Sequence, residues 1–182
     1  MLPPGAVMRF DATAGVLAET DRVSLPIDAD ADRIEDRDAA AELVRHALEQ
    51  SIDRHLVSDV PVAVFLSGGI DSSILAAIAA GRARGTLDGF TITFAESAFD
   101  ESVVARLVAR RHGIRHHEIP LGDHDLLAAL PRAFASMDQP TLDGINTYVV
   151  SEAVRAHGTK VVLSGLGGDE LFAGYPSFRR AR

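Results

Sequence analysis

The sequence predicts an α/β fold, a parallel sheet with flanking helices, and two patterns carry that reading. Short apolar runs rich in β-branched residues, at 60–66 and 159–164, alternate with stretches whose apolar residues recur every three or four positions. Both of those runs end in glycine-rich turns, Ser67-Gly68-Gly69 and Gly165-Leu166-Gly167-Gly168. In parallel sheets, ligands gather at the carboxyl ends of strands, beside a topological switch point.

The elements follow in chain order. Residues 7–10 and 16–18 flank the turn-prone stretch 11–15 and read as a small hairpin. The acidic stretch 28–38 reads as a linker feeding a helix over 38–55, where Ala41, Val44, Ala47, Leu48 and Ile52 share one face. The run 60–66 is almost wholly apolar, which suits a strand covered on both faces. A helix over 70–84 and a strand over 89–94 come next, then a helix over 100–111 closed by Gly113. A strand over 115–121 and a helix over 125–137 follow, with Pro131 set to kink or split that helix. A helix over 145–157 ends at Gly158 and leads to the strand 159–164.

Composition excludes several chemistries. Hydrophobic residues make up 47% of the 182, enough for a core, and with no Trp that core must be aliphatic. The net charge of -8 disfavours binding to phosphate backbones. The basic run Arg179, Arg180 and Arg182 reads as a solvated tail. The absence of Cys removes disulfides, thiolate metal sites and Cys nucleophiles. No secretory signal and no membrane-spanning run is visible, so a cytoplasmic location is expected. His116 and His117 are adjacent on an expected strand and therefore face opposite ways, which disfavours zinc. His46, His55 and His157 read as surface histidines, Met8 and Met137 as core fillers, and Ser67 lies outside a nucleophile elbow.

The first chemical motif is Ser67-Gly68-Gly69-Ile70-Asp71-Ser72-Ser73, between a buried strand and a helix. A helix N-terminus offers unpaired N–H groups and a positive dipole end. The glycines allow close approach, and the hydroxyls of Ser67, Ser72 and Ser73 add donors, which together make a phosphate cradle. No Gly-Lys-[Ser/Thr] follows, so it is not a Walker A loop. A carboxylate beside phosphate needs a cation between them, so Asp71 is the first candidate Mg²⁺ ligand. The second motif is Ser164-Gly165-Leu166-Gly167-Gly168-Asp169-Glu170, followed by Leu171-Phe172-Ala173-Gly174-Tyr175. It repeats the combination of glycines and carboxylates at a strand end, placing Asp169 for metal and Glu170 beside it.

The first motif closely resembles the pyrophosphate loop of the N-type ATP pyrophosphatases, whose folds are adenine nucleotide α-hydrolase-like. The second is similar to the Ser-Gly-x-Gly-x-Asp-Glu signature of the asparagine synthetase group within them. The resemblance implies that Ser67, Gly68, Gly69, Asp71 and Ser72 hold the pyrophosphate end of ATP. It further implies that Asp71 and Asp169 bind Mg²⁺, and that Leu66, Ile92, Ser164 and Gly165 contact the adenosine. Segments 99–101 and 138–140 also resemble the family.

The implied function is adenylation of a carboxylate, aspartate in the asparagine synthetases, with release of pyrophosphate. Ammonia would then give the amide and AMP. The expected partners are a small carboxylate, ammonia or an amine, and an upstream glutaminase domain, with a homodimer left open. Residues 1–34 read as a remnant of that domain and its linker, and 35–182 as a synthetase core incomplete at its C-terminal end. The departures are specific. The catalytic cysteine of family glutaminases is absent, and Leu166 stands where asparagine synthetases carry Glu. The family's later helices, with an essential lysine, are expected beyond residue 182, and the one Lys of this sequence, Lys160, opens an expected strand. A β-lactam- or amide-forming homologue and a non-catalytic nucleotide-binding fragment therefore remain alternatives.

Overall fold

The computed structural model describes residues 3–23, 33–93, 102–139, 141 and 143–180. Phe94, the segment 99–101, Pro140 and the acidic residues 28–32 lie outside the described residues. The chain divides into two compact units, Met1–Ala40 and Ala41–Arg182.

The first unit holds an antiparallel hairpin of β1 (Ala6–Asp11) and β2 (Val16–Arg22). Its turn is set locally. The Asp11 carboxylate accepts the N–H groups of Thr13 (2.9 Å) and Ala14 (3.0 Å), and Gly15 completes the reversal at φ 65°. Those two amides hold the Asp11 carboxyl below its ordinary value.

The second unit is built on a parallel sheet of β3 (Val62–Phe65), β4 (Asp88–Thr93), β5 (Arg115–Pro120) and β6 (Val161–Leu163), in the order β5-β4-β3-β6. The run expected over 60–66 shortens to Val62–Phe65, and Pro61 just before it has no N–H to give to a ladder. Helices α1 (Arg37–His55), α2 (Ile70–Arg82) and α3 (Ser102–His112) supply one layer. On their side Ile52, Val64, Leu66, Ala76, Ala79, Ala105, Ala109 and Ile114 form one buried cluster. On the other face Ala63, Phe90, Ile119 and Val154 cluster beneath α5 (Gly144–Ala156). Alternate residues of β3, continued by Leu66 just after it, thus serve opposite cores, Val64 and Leu66 one and Ala63 and Phe65 the other, which is why the stretch reads as a continuous apolar run. Each large aliphatic chain so buried contributes about 1.5–3 kcal/mol.

Helix α4 (Asp123–Ala135) runs unbroken through Pro131. The ring removes one backbone donor. The helix is held instead by burial of Ala129 and Ala133 and by the two-pronged pair of Arg132 with Glu152 of α5, at 2.8 and 3.0 Å. After β6, two short helices follow, α6 (Gly168–Phe172) and α7 (Pro176–Arg180). Arg179 and Arg180, expected in a tail, belong to α7. No helix among the described residues is long and apolar enough to cross a membrane.

The adjacent histidines of β5 do face opposite layers. His117 stacks on Phe90, with ring centroids 4.8 Å apart, and bonds Asp88 at 2.7 Å, whereas His116 reaches Thr91 at 2.7 Å. Burial pushes the His116 imidazole below its ordinary value of about 6.5, against an opposing pull from Glu118. Between the lowered folded value and the unfolded one, the unfolded chain binds more protons, so stability rises with pH across that window. It is fully present above about 6.5 and is lost as pH falls through the folded value. The melting temperature should fall on acidification from about pH 7 to 5, and His116→Gln should flatten that slope; an equally steep slope in the variant would refute the assignment.

Candidate functional site

The strand order itself locates a crevice. From β3 the chain steps outward to β4 and then β5, and β6 returns to the far side of β3. The carboxyl ends of β3 and β6 therefore flank the switch point. Both glycine-rich motifs leave the sheet there.

The first loop begins at Leu66, which is fully buried and donates its N–H to the Phe90 carbonyl at 2.8 Å. Gly68 adopts φ 83°, a left-handed conformation that side chains rarely tolerate. Gly69 is the N-cap of α2 in extended conformation, and no side chain caps the helix. The first-turn amides of α2 therefore have no side-chain capping oxygen, at the positive end of the helix dipole.

The hydroxyls do something different from what counting donors suggests. Ser72 is 6% exposed and donates to the Gly69 carbonyl at 3.1 Å. Its one proton is then committed, so at the 2.9 Å contact between the two hydroxyls Ser67 is the donor. The Ser67 oxygen in turn accepts the Gly69 N–H, and the Ser72 oxygen the Ser67 N–H, each at 3.3 Å. Ser67 and Ser72 brace the loop, taking up the Ser67 and Gly69 N–H groups and leaving those of Gly68, Ile70 and Asp71 to meet a ligand. Ser73 Oγ is buried with no hydrogen-bond partner among the described residues, a donor still to be satisfied.

The second loop lies against the first. A Cβ at Gly165 would stand 2.9 Å from the Ser72 nitrogen and 3.2 Å from the Asp71 carbonyl carbon, so only glycine fits. A Cβ at Gly168 would collide with the Asp71 carboxylate. Asp71 thus touches the residue that precedes Asp169. The Asp169 carboxylate lies over Gly174, whose N–H donates to the Asp169 carbonyl at 3.0 Å as Ala173 turns the chain at φ 56°. Glu170 is turned to the Tyr175 phenol, which donates to it at 2.9 Å and is held above its ordinary pKa by that bond. Among the described residues no set of three or more carboxylates or imidazoles gathers at metal-binding spacing. A magnesium site needs fewer, because Mg²⁺ is commonly held by one or two carboxylates with phosphate oxygens and water completing its shell.

Beside the two loops opens a cavity of about 340 Å³. Phe65, Leu66, Phe90 and Ile92 form its apolar wall, and Ser67 and Ser164 belong to its lining. Four of the residues expected to contact a nucleotide, Leu66, Ser67, Ile92 and Ser164, share this space; Gly68, Gly69, Asp71, Ser72, Ser73 and Gly165 belong to the adjoining loops. Glu170 does not line it.

Helix α5 adds groups that the sequence reading missed. Asp143, Asn146, Thr147 and Val150 face the cavity, and the Asp143 carboxylate accepts from Thr147 Oγ1 (3.0 Å) and Asn146 Nδ2 (3.3 Å). Their spacing of three and four from Asp143 was the available signal. Leu166 is 78% exposed at the cavity edge. A wider groove of about 560 Å³ lies at the opposite end of the sheet, where residues 60–62 enter β3. It has neither glycine motif, and its Arg82 is paired with Glu49 and Asp53.

Comparison with known proteins adds the following. Residues 43–182 match the family model of asparagine synthase. Over 152 residues the chain is 39% identical to "Amidase chyE" of Penicillium rubens, covering 75% of this chain and 23% of that protein. Over 146 residues it is 36% identical to glutamine-hydrolyzing asparagine synthetase 1 of Bacillus subtilis, covering 79% of this chain and 23% of that protein. The chain thus spans under a quarter of the length of these curated relatives. Among solved structures, the ammonia-dependent NAD synthetase of Campylobacter jejuni in complex with nitrate aligns with a TM-score of 0.48 at 17% identity, covering 74% of this chain and 60% of that one.

Proposed function

The chain belongs to the asparagine synthase family, and from that premise we propose that it is the nucleotide-activating part of an ATP-dependent, AMP-forming amide ligase. The single observation that carries this reading is the meeting of the two loops: uncapped α2 amides behind Gly68, with the Asp71 carboxylate lodged against Gly168.

In the proposed reaction an oxygen of a substrate carboxylate attacks the α-phosphorus of ATP. The bond from that phosphorus to the β-bridging oxygen breaks, and pyrophosphate leaves. The amides of Gly68, Ile70 and Asp71 take the charge that develops on the leaving group, in a geometry fixed beforehand by the Ser67–Ser72 brace. The aliphatic wall of Leu66 and Ile92 receives the adenosine and excludes water from it. Asp71 and Asp169, as hard oxygen donors, fit a Mg²⁺ ion, which would offset the charge of the phosphates beside them. In the second stage the nitrogen of ammonia attacks the activated acyl carbon, the carbon–oxygen bond breaks, AMP departs and nitrogen loses a proton. A glutaminase domain supplying the ammonia, and a cytoplasmic setting, belong to the same proposal.

The reading is tested by ATP–pyrophosphate exchange in the full protein. Exchange that depends on an added carboxylate, with aspartate first, is the expected result; no exchange with any carboxylate would sink it. A second reading is favoured by Leu166, a side chain unable to take the proton that nitrogen loses, exposed at the cavity edge. It is a homologue that joins a different carboxylate to an amine, and the relative named amidase fits it. Exchange stimulated by larger amino-bearing carboxylates and not by aspartate would select it.

A further inference from the structure

The loop is also held from outside, by groups on the strands one and two places from β3 across the sheet. We propose that Thr91 of β4 and His116 of β5 are positioning residues for the phosphate loop, acting through the carbonyl of Leu66; the proposal rests on the nucleotide reading above.

The argument begins with protons. Thr91 is 2% exposed, and its hydroxyl lies 2.5 Å from the Leu66 carbonyl oxygen. That oxygen only accepts, so Thr91 donates its single proton there. His116 Nε2 stands 2.7 Å from the same hydroxyl, so it must be the donor, and the imidazole is fixed with its proton on Nε2. Nδ1 then faces Glu118 at 3.6 Å, and Glu118 is held by the guanidinium of Arg106 from α3. A hydrogen-bonded line thus crosses the sheet from β5 through β4 to the end of β3.

Its end point matters because a peptide unit is planar. The Leu66 carbonyl and the Ser67 N–H belong to one rigid group, so fixing the first fixes the direction of the second. That N–H reaches Ser72 Oγ, the centre of the brace that shapes the loop. The backbone ladder between β3 and β4 is registered at Val64–Gly89 and Phe65–Phe90. One residue further on, a side chain holds the carbonyl and lets the main chain turn away at Ser67. A valine at 91 would keep the shape and lose this hold.

The test compares Thr91→Val and Thr91→Ser with the wild-type full chain. Three readouts are used: amide exchange over residues 66–70, the imidazole nitrogen shifts of His116, and binding of Mg·ATP against adenosine. Wild-type His116 should show the Nε2–H form. Thr91→Val should speed loop exchange and weaken Mg·ATP by about tenfold, the loss of one buried hydrogen bond, with adenosine affinity unchanged. Thr91→Ser should restore both. An Nδ1–H imidazole in the wild type overturns the proposal without any variant. Unchanged loop exchange in a Thr91→Val protein that binds Mg·ATP as the wild type does overturns the relay alone. A wild-type chain that binds neither Mg·ATP nor pyrophosphate overturns the nucleotide reading on which the relay's purpose rests.

Discussion

Asp71→Asn should abolish carboxylate-dependent ATP–pyrophosphate exchange, by about a thousandfold or more, while leaving the fold in place. A thousandfold loss is about 4 kcal/mol of transition-state stabilisation, the scale of removing a metal ligand that offsets phosphate charge. Asparagine keeps the volume of the side chain and its place above Gly168. It removes only the charge. The stability cost is limited to the favourable placement of a carboxylate in the first turn of α2, about 0.3–1 kcal/mol. Exchange and thermal melting measured on one preparation therefore separate the two roles. A helix-capping Asp71 would lose some melting temperature and keep exchange. A magnesium-holding Asp71 would lose exchange, with the melting temperature lowered by no more than that first-turn placement accounts for. Normal exchange in the variant removes Asp71 from the chemistry.

Much of this arrangement can be read from the sequence, and the part that cannot has identifiable causes. The parallel sheet is legible because Val62–Phe65 and Val161–Leu163 are too uniformly apolar for strands with a wet face. The two loops are legible because glycines clustered at strand ends, followed by carboxylates, satisfy few other needs. The sequence counts hydroxyls, but it does not say where their protons go. Ser67 and Ser72 read as phosphate donors, and the geometry commits both to bracing the loop. Thr91 and His116 are invisible as partners because their meeting depends on the register of β4 against β5. Asp143, Asn146 and Thr147 sit on a helix whose periodicity tells which side is apolar, not which polar side meets a cavity. The helix around Pro131 is legible from its periodicity, but that the proline does not split it depends on packing of α4 on α5 through Ala129, Ala133 and the Arg132–Glu152 pair.

Gly168→Ala gives the sharpest separation of stability from chemistry in the molecule. Gly168 opens α6 and is not among the glycines with positive φ, so its backbone suits alanine. Alanine is the better helix former by up to about 1 kcal/mol. On local grounds the variant should melt at the wild-type temperature or above. The new methyl group would nevertheless occupy the space of the Asp71 carboxylate, and it comes within 3.0 Å of the Asp71 Cβ as well, so Asp71 must leave its rotamer. Exchange should fall about a hundredfold, as expected when a catalytic group is displaced by an ångström, and the magnesium needed for half-maximal rate should rise. Gly165→Ala makes the contrast, because its Cβ meets backbone, the Ser72 nitrogen at 2.9 Å, which cannot swing aside. That variant should lose exchange and also about 1–3 kcal/mol of stability. Titrating magnesium against exchange rate, with melting curves alongside, distinguishes the two substitutions. If Gly168→Ala exchanges pyrophosphate like the wild type at every magnesium concentration, the contact between Asp71 and the second loop is mere packing, and the two loops do not act as one site.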